Sequence, residues 1–167
     1  MGISSMKILI REYKPTDKIV LIRCVEALQD YEINIDNLKR KRRLPAYGKY
    51  FTNQLLRRVR TEKGKIFLAV DQDKVCGYVV GTVAKQTKES LLKKVPSKFG
   101  YVVELYVDQS LRRQRVGQKL MKKMEEFFEK EHCTVITVGA MVVNTGARKF
   151  YKKLKYVDRS VEMIKII

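Results

Sequence analysis

Apolar residues run almost unbroken from Ile66 to Val70 and again from Val75 to Ala84, separated by Asp71-Gln72-Asp73-Lys74. Two such runs joined by a short polar turn predict a β-hairpin. Upstream, Met6 to Tyr13 alternates loosely and stops before Pro15, which predicts a first strand. Thr16-Asp17 then resembles a helix cap. Behind it, Ile19, Leu21, Ile22, Val25 and Leu28 form an apolar stripe at helical spacing. The basic run Lys39 to Arg43 is stopped by Pro45, and Tyr50 to Val59 predicts a second helix. Beyond the hairpin, Gln86 to Lys98 is polar, lysine-rich and contains Pro96, the composition of a mobile loop. Phe99 to Val107 reads as a long strand. Val116, Leu120, Met124 and Phe127 mark a helix ending near Lys130. Thr134 to Val138 predicts a strand, Asn144 to Leu154 a short helix, and Tyr156 to Ile167 an alternating strand that closes the sheet. The order βααβββαβαβ implies an α/β (α+β) fold. Its centre would be a mixed, mostly antiparallel twisted sheet of about seven strands with helices on both faces. No repeat or linker divides the chain, so residues 1–167 read as a single domain.

Composition changes this picture in two ways. The formal charge of +18 is extreme for 167 residues and implies attraction to anions, whether nucleotides, nucleic acid or acidic surfaces. Cys24, Cys76 and Cys133 are odd in number and widely spaced, which argues for a reducing, cytoplasmic compartment and for cysteines that serve as small apolar fillers. His132 is the only histidine and no CxxC pair exists, so neither a zinc site nor a cysteine nucleophile with a histidine partner is expected. No apolar run approaches a membrane span and no secretory leader is expected.

The stretch Leu105 to Leu120 carries the clearest chemistry. An apolar strand runs into the basic turn Arg112-Arg113-Gln114-Arg115, and the turn opens an amphipathic helix. The unpaired N–H groups and positive dipole end of a helix start suit a phosphate, and the arginines add charge. Within the strand, Glu104 sits in Val102-Val103-Glu104-Leu105-Tyr106-Val107, where an ionised carboxylate is costly unless paired. Burial there would raise its pKa toward the range useful to a base.

With these residues in view, the chain resembles the GNAT superfamily of acetyl-CoA-dependent N-acetyltransferases over nearly its whole length. The family's cofactor loop, Arg/Gln-x-x-Gly-x-Gly/Ala, is met by Arg112-Arg113-Gln114-Arg115-Val116-Gly117. Its second motif, Asn-x-x-Ala-x-x-Phe-Tyr-x-x-x-Gly-Phe, is met by Asn144-Thr145-Gly146-Ala147-Arg148-Lys149-Phe150-Tyr151-Lys152-Lys153-Leu154-Lys155-Tyr156. Arg115 replaces the first loop glycine, and Lys155 the glycine before the final aromatic. A helical conformation at the helix's first turn would need no glycine at Arg115, and its side chain could add a charged contact.

The resemblance implies acetyl-CoA as the acyl donor. Backbone N–H groups from Gln114 through Val116 and Gly117 to Gln118 would cradle its pyrophosphate, with Arg112, Arg113 and Arg115 around it. Leu105, Tyr106 and Val107 would hydrogen-bond the pantetheine arm as an added strand does, and the Leu105 N–H would stabilise the oxyanion. Asn144, Ala147, Phe150 and Tyr151 would complete the cofactor side. Glu104 would act as base through water on the protonated amine, and Tyr151 as acid toward the departing thiolate. Asp108 is a weaker candidate for the base. For the acceptor, a primary amine on a small molecule, a protein lysine or an N-terminus, Glu26, Asp30, Glu32 and Asp36 cluster in the first helical region, Glu26 and Asp30 sharing a helix face, and could form an acidic wall, with Glu104 also contacting the amine. The +18 charge opposes a free polycation. Two other readings are a basic nucleic-acid-binding module, using Lys39 to Arg43 and the cluster Arg57, Arg58 and Arg60, and a non-catalytic acyl-CoA sensor. The apolar ending Val161 to Ile167 is compatible with a homodimer.

Overall fold

The computed structural model describes residues 8–167. Five strands form one sheet: β1 (Leu9–Glu12), β2 (Lys65–Asp71), β3 (Lys74–Lys85), β4 (Lys98–Val107) and β5 (Val135–Val138). They lie in chain order, antiparallel except for the parallel pair β4–β5. The helices are α1 (Lys18–Ile35), α2 (Tyr47–Thr61), α3 (Lys88–Lys93), α4 (Val116–Lys130) and α5 (Thr145–Lys153). Among the described residues no helix is long and apolar enough to cross a membrane.

The hairpin is apolar throughout because both of its faces are covered. On one face α4 buries Leu120, Met121, Met124 and Phe128 against Phe67, Val79 and Val102. On the other, Leu21, Cys24 and Val25 of α1 and Leu55 of α2 close over Leu68, Tyr78 and Val80. Phe128 fits because two strands lack a side chain beneath it. A Cβ at Gly81 would stand 2.7 Å from its Cζ, and one at Gly100 2.6 Å from its Cγ.

The sheet has five strands rather than about seven, and two expectations fail for local reasons. Gln86 to Lys98 is not an unstructured loop. Thr87 accepts the Ser90 N–H at 3.1 Å and caps α3, while Gln86 accepts the Ser97 N–H at 2.6 Å and so ties the two ends of the segment together. Tyr156 to Ile167 forms no strand. Asp158 is held by Arg148 at 2.8 Å and Lys152 at 2.7 Å, so the chain leaving Tyr156 is fastened to α5 rather than to a sheet edge. Its apolar residues stay exposed, Ile164 at 61%. Alternation describes side chains and does not say which edge they reach. The expected first strand, Met6 to Tyr13, starts outside the described residues and is strand from Leu9 to Glu12.

Two irregularities of β4 position the site. It pairs with β5 only from Phe99↔Val135 to Val102↔Val138, so Val103 to Val107 have no strand on that side. Against β3, Val80 pairs with Glu104 while the next residue, Gly81, pairs with Val102, which leaves Val103 as one extra residue. Phe128 is fully buried where α4 meets this sheet centre. Phe128→Ala should cost about 3–5 kcal/mol, read as a lower denaturant midpoint with an unchanged m-value.

Candidate active site

A strand alternates its side chains between faces, so one inserted residue reverses the alternation beyond it. Before the bulge Val102 packs into the α4 core, and after it Leu105 and Val107 do the same. Val103 and Tyr106 instead join the core under α1 and α2. Glu104 turns to that second face, where its Oε2 accepts a hydrogen bond from the Tyr78 hydroxyl at 2.6 Å. It opens with Val103 into a cavity of about 480 Å³ between α2 and β4.

Burial raises the pKa of Glu104, the Tyr78 hydroxyl bond draws it partly back, and nearby Glu32 raises it again. Tyr78 itself is 0% exposed, and burial beside Glu104 holds its hydroxyl well above the ordinary range, as a permanent donor. Sequence reading overlooked Tyr78 as one more residue in an apolar strand. The available signal was that a tyrosine in such a run needs a partner for its hydroxyl.

At the end of β4 the basic turn leads into α4. No side chain caps this helix. Its first bond runs from the Lys119 N–H to the Arg115 carbonyl at 3.0 Å, leaving the N–H groups of Val116, Gly117 and Gln118 ahead of it. Arg115 does not take a helical conformation there. It is left-handed at φ 62°, as is Arg113 at φ 66°, so the loop keeps the backbone shape that favours glycine. Arg113, Gln114, Arg115 and Gln118 are exposed. Gly117 also has a packing role, since a Cβ there would meet Phe150 Cζ at 3.2 Å. Arg112 is partly committed elsewhere: its Nε donates to the Val107 carbonyl at 3.3 Å and its guanidinium lies 4.4 Å over the Tyr31 ring. Asp108 caps this turn, accepting the Ser110 N–H at 3.1 Å and hydroxyl at 2.9 Å, a structural task.

Asn144 caps α5, accepting the Ala147 N–H at 3.1 Å, and also accepts the Tyr31 hydroxyl at 3.3 Å. Tyr31, likewise overlooked in the sequence, therefore joins α1 to both motifs. Phe150 and Tyr151 pack against the core that includes Leu105 and Val107. Tyr151 has its pKa pushed up to about 12 by burial, so its phenol stays protonated. The Tyr156 hydroxyl donates to Glu125 at 2.9 Å.

The acidic residues of α1 are spent within the fold. Asp30 is bound by Arg43 at 2.6 Å, Glu32 by Lys41 at 2.7 Å, and the Glu26 side chain lies against Gly48 of α2. Asp36 accepts the Arg40 and Lys41 N–H groups at 2.6 and 2.8 Å. The basic run 39–43 is thus a loop pinned to α1, with part of its charge neutralised, and Glu26 and Asp30 do not join Glu104 in the cavity lining.

A group whose pKa is raised on folding stabilises the fold fully below its unfolded value and loses that contribution as pH rises through the folded value. Glu104→Gln, which mimics the protonated acid, should therefore melt above the wild type near pH 8 and match it near pH 4. Tyr78→Phe keeps the ring and deletes the donor. Carbon-13 NMR titration of the Glu104 carboxyl should show its pKa rising further in this variant, and an unmoved value would mean that the bond does not tune the acid.

The family model "Acetyltransferase (GNAT) family" matches residues 26–156, which span both motifs and the β4 bulge. Among curated proteins no sequence match is found. A mutant of the BH1408 protein from Bacillus halodurans superposes with a TM-score of 0.81 at 18% identity, covering 95% of this chain and 99% of its own. Glucosamine-6-phosphate N-acetyltransferase from Arabidopsis thaliana gives 0.69 at 15% identity, covering 96% and 98%. An aminoglycoside acetyltransferase from an uncultured soil metagenomic sample gives 0.68 at 20% identity, covering 99% of each chain. At these identities the structures show a shared fold, and the family match over most of the sequence, with both motifs seated on it, makes this chain a member of the GNAT acetyltransferase family.

Proposed function

We propose that the protein is an N-acetyltransferase that passes an acetyl group from acetyl-CoA directly to a primary amine, with Glu104 as base and Tyr151 as acid. The observation that carries this reading is the half-buried Glu104, aimed by the bulge into a cavity beside the unpaired stretch of β4. The residues fit acetyl-CoA in two respects. The uncapped start of α4 with exposed Arg113 and Arg115 suits a pyrophosphate, and the open edge of Val103 to Val107 suits an amide-bearing arm. Acetyl-CoA would supply an activated acetyl group and a thiol as leaving group.

The protein's own part is proton handling and positioning. An alkylammonium must lose a proton before it can attack, and a carboxylate raised toward neutrality by burial can accept one directly or through a water. Tyr78 holds that carboxylate in one orientation without neutralising it. Tyr151 remains protonated past neutral pH and can give its proton to a thiolate. The backbone N–H of Leu105, on the β4 segment left open by β5, is the donor suited to the acyl oxygen. A pure nucleic-acid-binding role would leave the buried carboxylate unexplained, and it would use a basic run that α1 already partly neutralises.

Calorimetric titration with acetyl-CoA should give micromolar binding and a raised melting temperature; no binding at moderate salt would refute the donor site. With an accepted amine, Glu104→Gln should cut turnover about 100-fold or more with cofactor affinity kept. Tyr151→Phe should slow the same step, and unchanged turnover would return Tyr151 to a packing role.

A further inference from the structure

We propose that the acceptor amine carries an acidic group, a carboxylate or a phosphate, which Arg57 of α2 receives while Glu104 takes the amine. This deepens the acetyltransferase reading and rests on it. The cavity above Glu104 is bounded on its far side by one face of α2. Its lining includes Phe51, Leu55, Arg57 and Arg58, with Val103 and Glu104 on the β4 side. A volume of about 480 Å³ is in the range of small-molecule sites.

The charges around this cavity are unequal. The Arg58 Nε is bonded to Glu62 Oε2 at 2.8 Å, so that pair is close to neutral. Arg57 is exposed and, among the described residues, forms no ion pair. Its guanidinium is a free, permanently charged fork, the shape that binds carboxylate or phosphate through two hydrogen bonds. Phe51, 42% exposed, Leu55 and half-buried Val103 supply the apolar part of the lining, and Gln54 and Thr61 add polar surface beside them. The site therefore presents a proton acceptor, a partly apolar wall and a cation. Its complement is an ammonium on a short apolar stem that ends in an acid.

Long-range electrostatics point the same way. An amine acceptor arrives as a cation at a chain of net charge +18, and Arg57 lines the same cavity as Glu104. A polyamine or a lysine-rich tail is repelled at both ranges, whereas an acidic group on the acceptor cancels the net repulsion. The acidic residues of α1 do not offset this inside the cavity, because Asp30 and Glu32 are already paired and Glu26 does not line it.

The test uses matched amines with acetyl-CoA and wild-type protein, reading release of free thiol at about 0.1 M salt. Butylamine is set against 4-aminobutyrate, tyramine against tyrosine, and ethanolamine against O-phosphoethanolamine. Spermidine serves as the polycation. The acid-bearing member of at least one pair should exceed its partner without the acid about tenfold or more in kcat/KM, and the pair in which this occurs separates carboxylate from phosphate. Arg57→Ala should abolish that advantage by raising KM while kcat and acetyl-CoA binding stay the same, and Arg57→Lys should restore part of it. The proposal is overturned if the amines without an acid or spermidine match the acid-bearing ones, if Arg57→Ala leaves the ratio unchanged, or if acetyl-CoA binds but no acid-bearing amine speeds thiol release. Loss of acetyl-CoA binding itself would mark failure of the underlying acetyltransferase reading instead.

Discussion

The bulge at Val103 places one extra residue in β4 opposite the Val80–Gly81 step of β3. An unbroken register would send Glu104 toward the α4 core, among Val102, Met124 and Phe128, where a carboxylate would find no polar partner. With the extra residue it faces α1 and α2 instead and meets the Tyr78 hydroxyl. The same stretch is where β5 ceases to pair with β4. A single register change thus coincides with both features that a group-transfer site on this sheet requires: a carboxylate turned into a cavity and a backbone edge left open for a ligand. The glycines beside it, Gly81 and Gly100, let Phe128 approach the sheet closely enough to hold this irregular strand in place.

The chemical identity of the Glu104 partner matters as much as its position. Several other acids of the protein are held by cations, as Asp17 is by Arg11 at 2.8 Å, and that pairing depresses the Asp17 carboxyl pKa. An arginine at position 78 would do the same to Glu104 and leave a carboxylate too weakly basic to accept an ammonium proton near neutrality. A tyrosine hydroxyl orients without adding charge. Burial then remains the dominant influence, and the carboxyl stays shifted upward. The low basicity that makes the paired acids good structural elements is what a base must avoid.

Much of this was legible in the chain. The hairpin, α4 and α5 follow from apolar spacing, and the two motifs carried the family. What escaped depended on pairing in three dimensions. The orientation of Glu104 needed a bulge that alternation cannot reveal, because Val102 and Val103 are both apolar and look alike in sequence. Two acids of the expected acidic wall, Asp30 and Glu32, are occupied because Arg43 and Lys41, which look like a free basic run, fold back onto them. The last run, Tyr156 to Ile167, has the pattern of a strand but is tied to α5 through Asp158. Tyr31 and Tyr78 gain their meaning only from partners 113 and 26 residues away.

The two positions where the chain departs from its family's glycines show how backbone shape outlasts residue type. Arg115 at the turn into α4 has φ 62° and Lys155 after α5 has φ 68°. Both lie in the left-handed region that glycine enters freely and other residues enter at a cost of roughly 1–2 kcal/mol. At Lys155 that conformation ends the helix, with its N–H bonded to the Lys152 carbonyl at 2.9 Å, as left-handed residues commonly end helices. At Arg115 it precedes the free N–H groups of α4, and strain retained at such a turn is typical of a ligand clamp. A glycine would remove the strain but also the charge. In the proposed acetyl-CoA reading the two effects add, because a phosphate bound there would meet both the Arg115 cation and the N–H groups that the residue's own left-handed backbone precedes.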